Sequence, residues 1–291
     1  MMHSRSWKKI IVFLGFTFGL SSIFYYFILR SGMIQTYTLG LMWSPGLAAL
    51  LTQLIFTRSI RNLGWKFGKG RYLLLAYLLP IIYGIVVYGI VWLSGIGPLD
   101  IQTFATQAAE QWGREMQNPA TFSLVFGLIL ATVGVFTSSF AALGEEIGWR
   151  GFLVPELTRA TSFTTASLVS GVIWTVWHAP IILLADYNNP GGSRIFGLIC
   201  FAFLVIGSSF VYAWLRLKSG SLWPAVLLHA SHNLFIQGIF TPLTGETALT
   251  PYVIDEFGIG LALVGVLLGV VFWRKGKDLE EKTAVVEAPI V

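Results

Sequence analysis

The chain has 291 residues, of which 55% are apolar and 11% charged, with a mean hydropathy of +0.73. An ordinary soluble domain carries about a quarter charged residues, so that class is excluded. The lone Cys200 also excludes a disulfide framework and a cysteine zinc cluster. The net charge of +5 does not point to nucleic acid, because the basic residues flank apolar runs instead of gathering into a patch.

The N-terminus reads Ser4-Arg5-Ser6-Trp7-Lys8-Lys9 and then about 20 apolar residues. A cleaved signal peptide has a shorter apolar core and a small-residue cleavage site, so a retained helix is expected. Eight runs are long enough to cross a bilayer: 10–29, 39–56, 73–93, 122–143, 166–185, 195–215, 222–240 and 258–273. None of them contains Lys, Arg, Asp or Glu. The segment 99–119, with Asp100, Glu110, Arg114 and Glu115, is too polar to cross and is assigned to the surface. The tail after Lys275 is short and charged and reads as mobile.

Sixteen of the nineteen Lys and Arg residues then fall on the side of the N-terminus, Arg150 among them; Arg30, Arg114 and Arg194 fall opposite. Excess Lys and Arg mark cytoplasmic loops. The expectation is an all-α polytopic membrane bundle of about eight helices in the plasma membrane, with both termini cytoplasmic. It forms one integrated domain in three stretches: 1–119, 120–240 as the functional core, and 241–291. The expected partners are the bilayer and a membrane-associated peptide, with no nucleic acid.

Ionisable groups at the edge of hydrocarbon are costly and are functional candidates by default. Glu145 and Glu146 end the fourth run, and Arg150 stands one helical turn beyond Glu146, placed to pair with it. Trp149 shares a face with Glu145. A glutamate beside a like charge fits the role of general base; the alternative is an ordinary solvated helix end. His178 follows Trp174 in the fifth run and precedes Pro180, whose missing N–H frees the Val176 carbonyl and favours a bend. In the seventh run His229 and Asn233 are four apart and face one way. His232 reads as a helix–helix hydrogen-bonding residue. Gly144-x-x-x-Gly148 permits a close helix contact. One geometric obstacle stands out: His178 lies about 18 Å into its run while Glu145 is near a helix end. They meet only if the fifth span begins in the cytoplasm or the fourth reaches inward.

The His-Glu-x-x-His helix and the Gly-x-Ser-x-Gly elbow are missing. What the chain does carry is Glu145-Glu146-Ile147-Gly148-Trp149-Arg150, then Trp174-Thr175-Val176-Trp177-His178, then His229-Ala230-Ser231-His232-Asn233. The set resembles the CPBP family of intramembrane proteases, which includes type II CAAX prenyl endopeptidases and bacteriocin-processing and self-immunity proteins. Their motifs are Glu-Glu-x-x-x-Arg, Phe-x-x-x-His and His-x-x-x-Asn, so Trp174 stands where phenylalanine is usual. The resemblance covers roughly 120–240. It implies that Glu145 and His178 activate water, that His229 and Asn233 stabilise the oxyanion, and that Glu146 and Arg150 hold the site in shape, with Trp149 and Trp174 supporting it. A zinc variant with His178, His229 and Glu145 as ligands stays open beside a metal-free one. Two other classes compete: a transporter using the same polar cluster, and a binding or immunity protein without catalysis.

Overall fold

A bilayer offers no water to exposed backbone N–H and C=O groups, so an apolar chain that crosses it closes its hydrogen bonds within helices. The computed structural model describes residues 2–113 and 118–287, with side chains for 4–113 and 118–279; Arg114, Glu115 and Lys282 of the sequence reading lie outside those side chains. Among the described residues, nine helices longer than two turns carry the fold: α1 (Met2–Ser31), α2 (Gln35–Thr57), α3 (Gly70–Ser94), α4 (Ile101–Trp112), α5 (Pro119–Ala160), α6 (Phe163–Leu184), α7 (Arg194–Ser219), α8 (Trp223–His232, continued by a π-helical stretch Asn233–Phe240) and α9 (Ile259–Glu287).

Among the described residues, seven helices are long and apolar enough to span: α1, α2, α3, α5, α6, α7 and α9. The chain is therefore an all-α multi-pass membrane bundle. The eighth expected span is helical too, as α8, but His229, His232, Asn233 and Gln237 dilute its apolar character. Two regions outside the apolar runs are helical as well. The tail does not leave the helix at Lys275, since α9 runs on to Glu287. The polar segment after Asp100 is ordered as α4, whose Phe104 and Ala108 pack on Phe126 of α5. The Asp100 side chain caps it by accepting from the Thr103 N–H at 2.9 Å.

Helix α5 is the element that positions the site. Its 42 residues would reach about 63 Å, twice the hydrocarbon thickness. The Glu-Glu pair therefore sits within the helix and not at its end. π-helical turns interrupt it at Leu130–Gly134 and again at Ile147–Leu153, directly after Glu146; such bulges often mark functional sites. The chain reverses at Thr161, where Ser162 caps α6 through the Thr165 N–H. Glu145 stands fifteen residues before Ala160 and His178 fifteen residues after Phe163. Both are about 22 Å from the turn, which removes the mismatch in depth.

Helix α5 also lies hard against α2. A Cβ on Gly148 would stand 2.5 Å from Cβ of Pro45, one on Gly144 would stand 2.8 Å from the Met42 carbonyl oxygen, and one on Gly46 would stand 2.4 Å from the Gly144 carbonyl oxygen. The small-residue stripe is thus spent on a contact inside the chain. Helix α7 packs along α6 and α9, while α8 fills the centre between α3, α5 and α7. One buried core joins Ile10, Ala142, Trp177 and Phe272, so all three stretches of the chain share it.

Candidate active site

Glu145 is buried, and its Oε2 accepts from two indoles: Trp174 Nε1 at 2.8 Å and Trp149 Nε1 at 3.3 Å. The first is a contact between α5 and α6; the second lies within α5, one turn on. Glu146 points the other way. Its Oε1 accepts from Arg150 Nη1 and meets His229 Nδ1, both at 2.9 Å, which ties α5 to α8. Arg150 makes the pair with Glu146 expected from their spacing, and it is wholly buried in mid-helix because the α5 helix continues past it. Its guanidinium lies between the Trp174 and Tyr212 rings, at 4.1 and 4.0 Å from their centroids. Arg150 Nε, Nη2 and Glu146 Oε2 have no hydrogen-bond partner among the described residues, so the two ring faces make up much of the cation's surroundings.

His178 hydrogen-bonds the Trp174 carbonyl oxygen through Nδ1 at 3.0 Å, which makes Nδ1 the protonated nitrogen and leaves Nε2 as an acceptor. Trp174 is the hub. Its ring lies 5.9 Å from the His178 ring and 5.5 Å from the His229 ring, while its N–H holds Glu145. A phenylalanine could supply the first two contacts but not the third.

The four residues expected to act chemically, Glu145, His178, His229 and Asn233, all line one cavity of about 130 Å³, large enough for several water molecules. Trp174 lines it as well. Glu146, Arg150 and Trp149 stand behind the wall. With Nδ1 of each imidazole engaged, the cavity is left to Nε2 of His178 and of His229. Among the described residues, no three His, Cys, Asp or Glu side chains gather as a metal-holding group. His178, His229 and Glu145 share a cavity without forming such a ligand set.

The cavity also holds residues that the motifs did not mark. His232 makes the helix–helix hydrogen bond expected of it, from α8 to Tyr83 of α3, and lines the cavity as well. Its Nε2 meets Glu256 Oε1 at 2.8 Å and its Nδ1 meets the Tyr83 hydroxyl. The Tyr187 hydroxyl donates to Glu256 Oε2 at 2.8 Å, and Gln237 donates to Tyr187 at 3.3 Å. One signal was available: Asp255-Glu256 is an acidic pair directly ahead of the last apolar run. Asp255 and Glu256 lie outside the spans. Burial and the neighbouring Glu256 push the Asp255 carboxyl up to about 6. Burial also opposes charge on Glu256, but the His232 and Tyr187 hydrogen bonds outweigh it and hold Glu256 below the usual carboxylate range.

Part of the chain that lines this cavity is similar to known proteins. Residues 123–235 match the model of the Rce1-like type II CAAX prenyl endopeptidases. A CAAX prenyl protease 2 from Methanococcus maripaludis is 30% identical over 106 residues, which cover 34% of this chain and 38% of that protein. The chain thus aligns with well under half the length of this relative.

Proposed function

We propose that this chain, whose 123–235 segment matches the Rce1-like type II CAAX prenyl endopeptidase model, is an intramembrane endopeptidase. It hydrolyses a peptide bond near the cytoplasmic face of the plasma membrane, with both termini in the cytoplasm. The observation that carries this reading is the convergence of Glu145, His178, His229 and Asn233 on one cavity with otherwise largely apolar walls.

Peptide hydrolysis needs a base for water, donors for the tetrahedral oxyanion and a proton for the leaving amine. Glu145 takes the proton from water, with Nε2 of His178 accepting a second hydrogen bond to orient it. The oxygen attacks the carbonyl carbon, and the carbonyl electron pair moves onto oxygen. That oxyanion is received by Nε2–H of His229 in its doubly protonated form and by the Asn233 amide. Glu146 stabilises the imidazolium at Nδ1, and Arg150 balances Glu146. Collapse of the intermediate breaks the C–N bond as the proton held by Glu145 passes to the amine. Positioned donors of this kind are worth about 10²–10³ in rate.

The CAAX name belongs to the relatives. For this chain, an isoprenylated C-terminal peptide is one substrate class among membrane-anchored peptides. The test is cleavage by the purified protein and its Glu145→Gln variant of a panel of membrane-anchored peptides, isoprenylated and unmodified. The reading expects cleavage of at least one class by the wild type and none by the variant; equal cleavage by both removes Glu145 from the mechanism.

A further inference from the structure

The Nδ1 hydrogen bond to Trp174 fixes one atom of the His178 imidazole, but the tilt of the ring depends on what packs against its faces. Trp177 and Phe201 reach it from spanning helices, with centroids at 4.7 and 4.8 Å. The third ring, Tyr187, is nearly parallel to it, at 6.0 Å and 28°. Tyr187 belongs to the 185–193 loop between α6 and α7, so no helical backbone holds it. Its hydroxyl is held by Glu256, which sits on a second loop ahead of α9. Glu256 in turn is anchored to α8 through His232, and its backbone N–H donates to Asp255 Oδ1 at 2.6 Å.

We propose that Glu256 is a positioning residue of the active site, holding Tyr187 flat against His178 so that the imidazole presents Nε2 to the cavity. The inference rests on the catalytic reading of His178. It assigns a role to a residue that lies twenty-one positions beyond the family match. Chemistry suits the link. Burial, with Glu256 alongside, raises the Tyr187 phenol well above its ordinary value, so it remains a donor. Glu256 remains a charged acceptor for the reason given above. Asn189 already ties the two loops by donating to the Pro251 and Ile254 carbonyl oxygens, both at 2.9 Å; the Tyr187–Glu256 bond adds the fix on the ring that faces His178, and a misplacement of about 1 Å at a reacting group can cost up to about 100-fold in rate.

The test uses the full chain in detergent micelles with ¹⁵N-histidine. Its four histidines give few enough ring signals to assign by single replacement. Glu256→Ala and Tyr187→Phe are each expected to lower kcat about tenfold, with KM within about twofold, and to shift or broaden the His178 ring signals. Glu256→Gln keeps an oxygen to accept from Tyr187 and is expected to restore both readouts to within about threefold. Tyr187→Phe removes one hydroxyl and retains the ring, so it reads the link even if Glu256→Ala fails to fold. The proposal is overturned if Glu256→Gln is as impaired as Glu256→Ala, which would make the His232 ion pair the important partner, or if Tyr187→Phe leaves the His178 signals unchanged. A wild type that cleaves no peptide of the panel overturns the proteolytic reading instead, and the ring signals still decide for or against the anchor.

Discussion

Replacing Arg150 with methionine would leave Glu146 as a buried carboxylate with His229 as its one remaining cationic partner. The arginine contributes a 2.9 Å ion pair between two side chains that are both 0% exposed, and it fills the space between two aromatic rings. Methionine retains much of the volume, so the loss is chiefly electrostatic. Breaking a buried pair from one side costs about 3–5 kcal/mol, because the other charge stays desolvated. Removing both charges costs less, and apolar replacement of buried pairs is often neutral. In a chain of this size one kcal/mol shifts the melting temperature by about 2 °C, so Arg150→Met is expected to lower Tm by about 6–10 °C. The double variant Glu146→Gln/Arg150→Met is expected to recover at least half of that loss. The assay is thermal unfolding in one detergent at one pH, followed by circular dichroism. A double variant no more stable than Arg150→Met would refute the argument, since the cost would then lie in lost ring contacts and not in a stranded charge.

Trp174→Phe keeps the ring between the two imidazoles and removes the N–H held by Glu145. A hydrogen bond to a charged group is worth about 1.5–3 kcal/mol, and cavity water with Trp149 replaces part of it, so kcat should fall about tenfold with little change in Tm. Gly148→Ala drives a methyl into Pro45 and should cost about 1–3 kcal/mol by overpacking; Gly127→Ala, which has open space around it, should cost nothing in the same melt. Asp255 has its folded pKa raised to about 6 from an ordinary carboxylate value of 3.8, so its contribution to stability is present below about pH 4 and is lost as pH rises through 6. Asp255→Asn should therefore match the wild type near pH 4 and exceed it at pH 8, by up to about 3 kcal/mol; denaturation at the two pH values measures this, and equal differences at both would contradict it.

The helical class and the position of seven spans were legible because runs without a charged residue leave a long chain few alternatives in lipid. The functional cluster was legible for the same reason: Glu145, His178 and His229 are costly where they stand. The depth of Glu145 was not legible. The apolar run ends at Leu143, and hydropathy cannot see that Glu146, Arg150 and His229 neutralise one another and let α5 continue as buried helix to Ala160. Glu256 and Tyr187 were passed over because they lie in loops, where a carboxylate and a phenol are normally solvated; only the folding of both loops over the cavity makes them part of it. His232 was undervalued because its partner Glu256 had no motif of its own.

The account stands most directly on a comparison of initial cleavage rates between the wild type and Glu145→Gln, with both proteins shown to melt alike. It predicts turnover by the wild type and a loss of at least about 100-fold in the variant. Matching rates, or a wild type without turnover on every peptide tried, would contradict it.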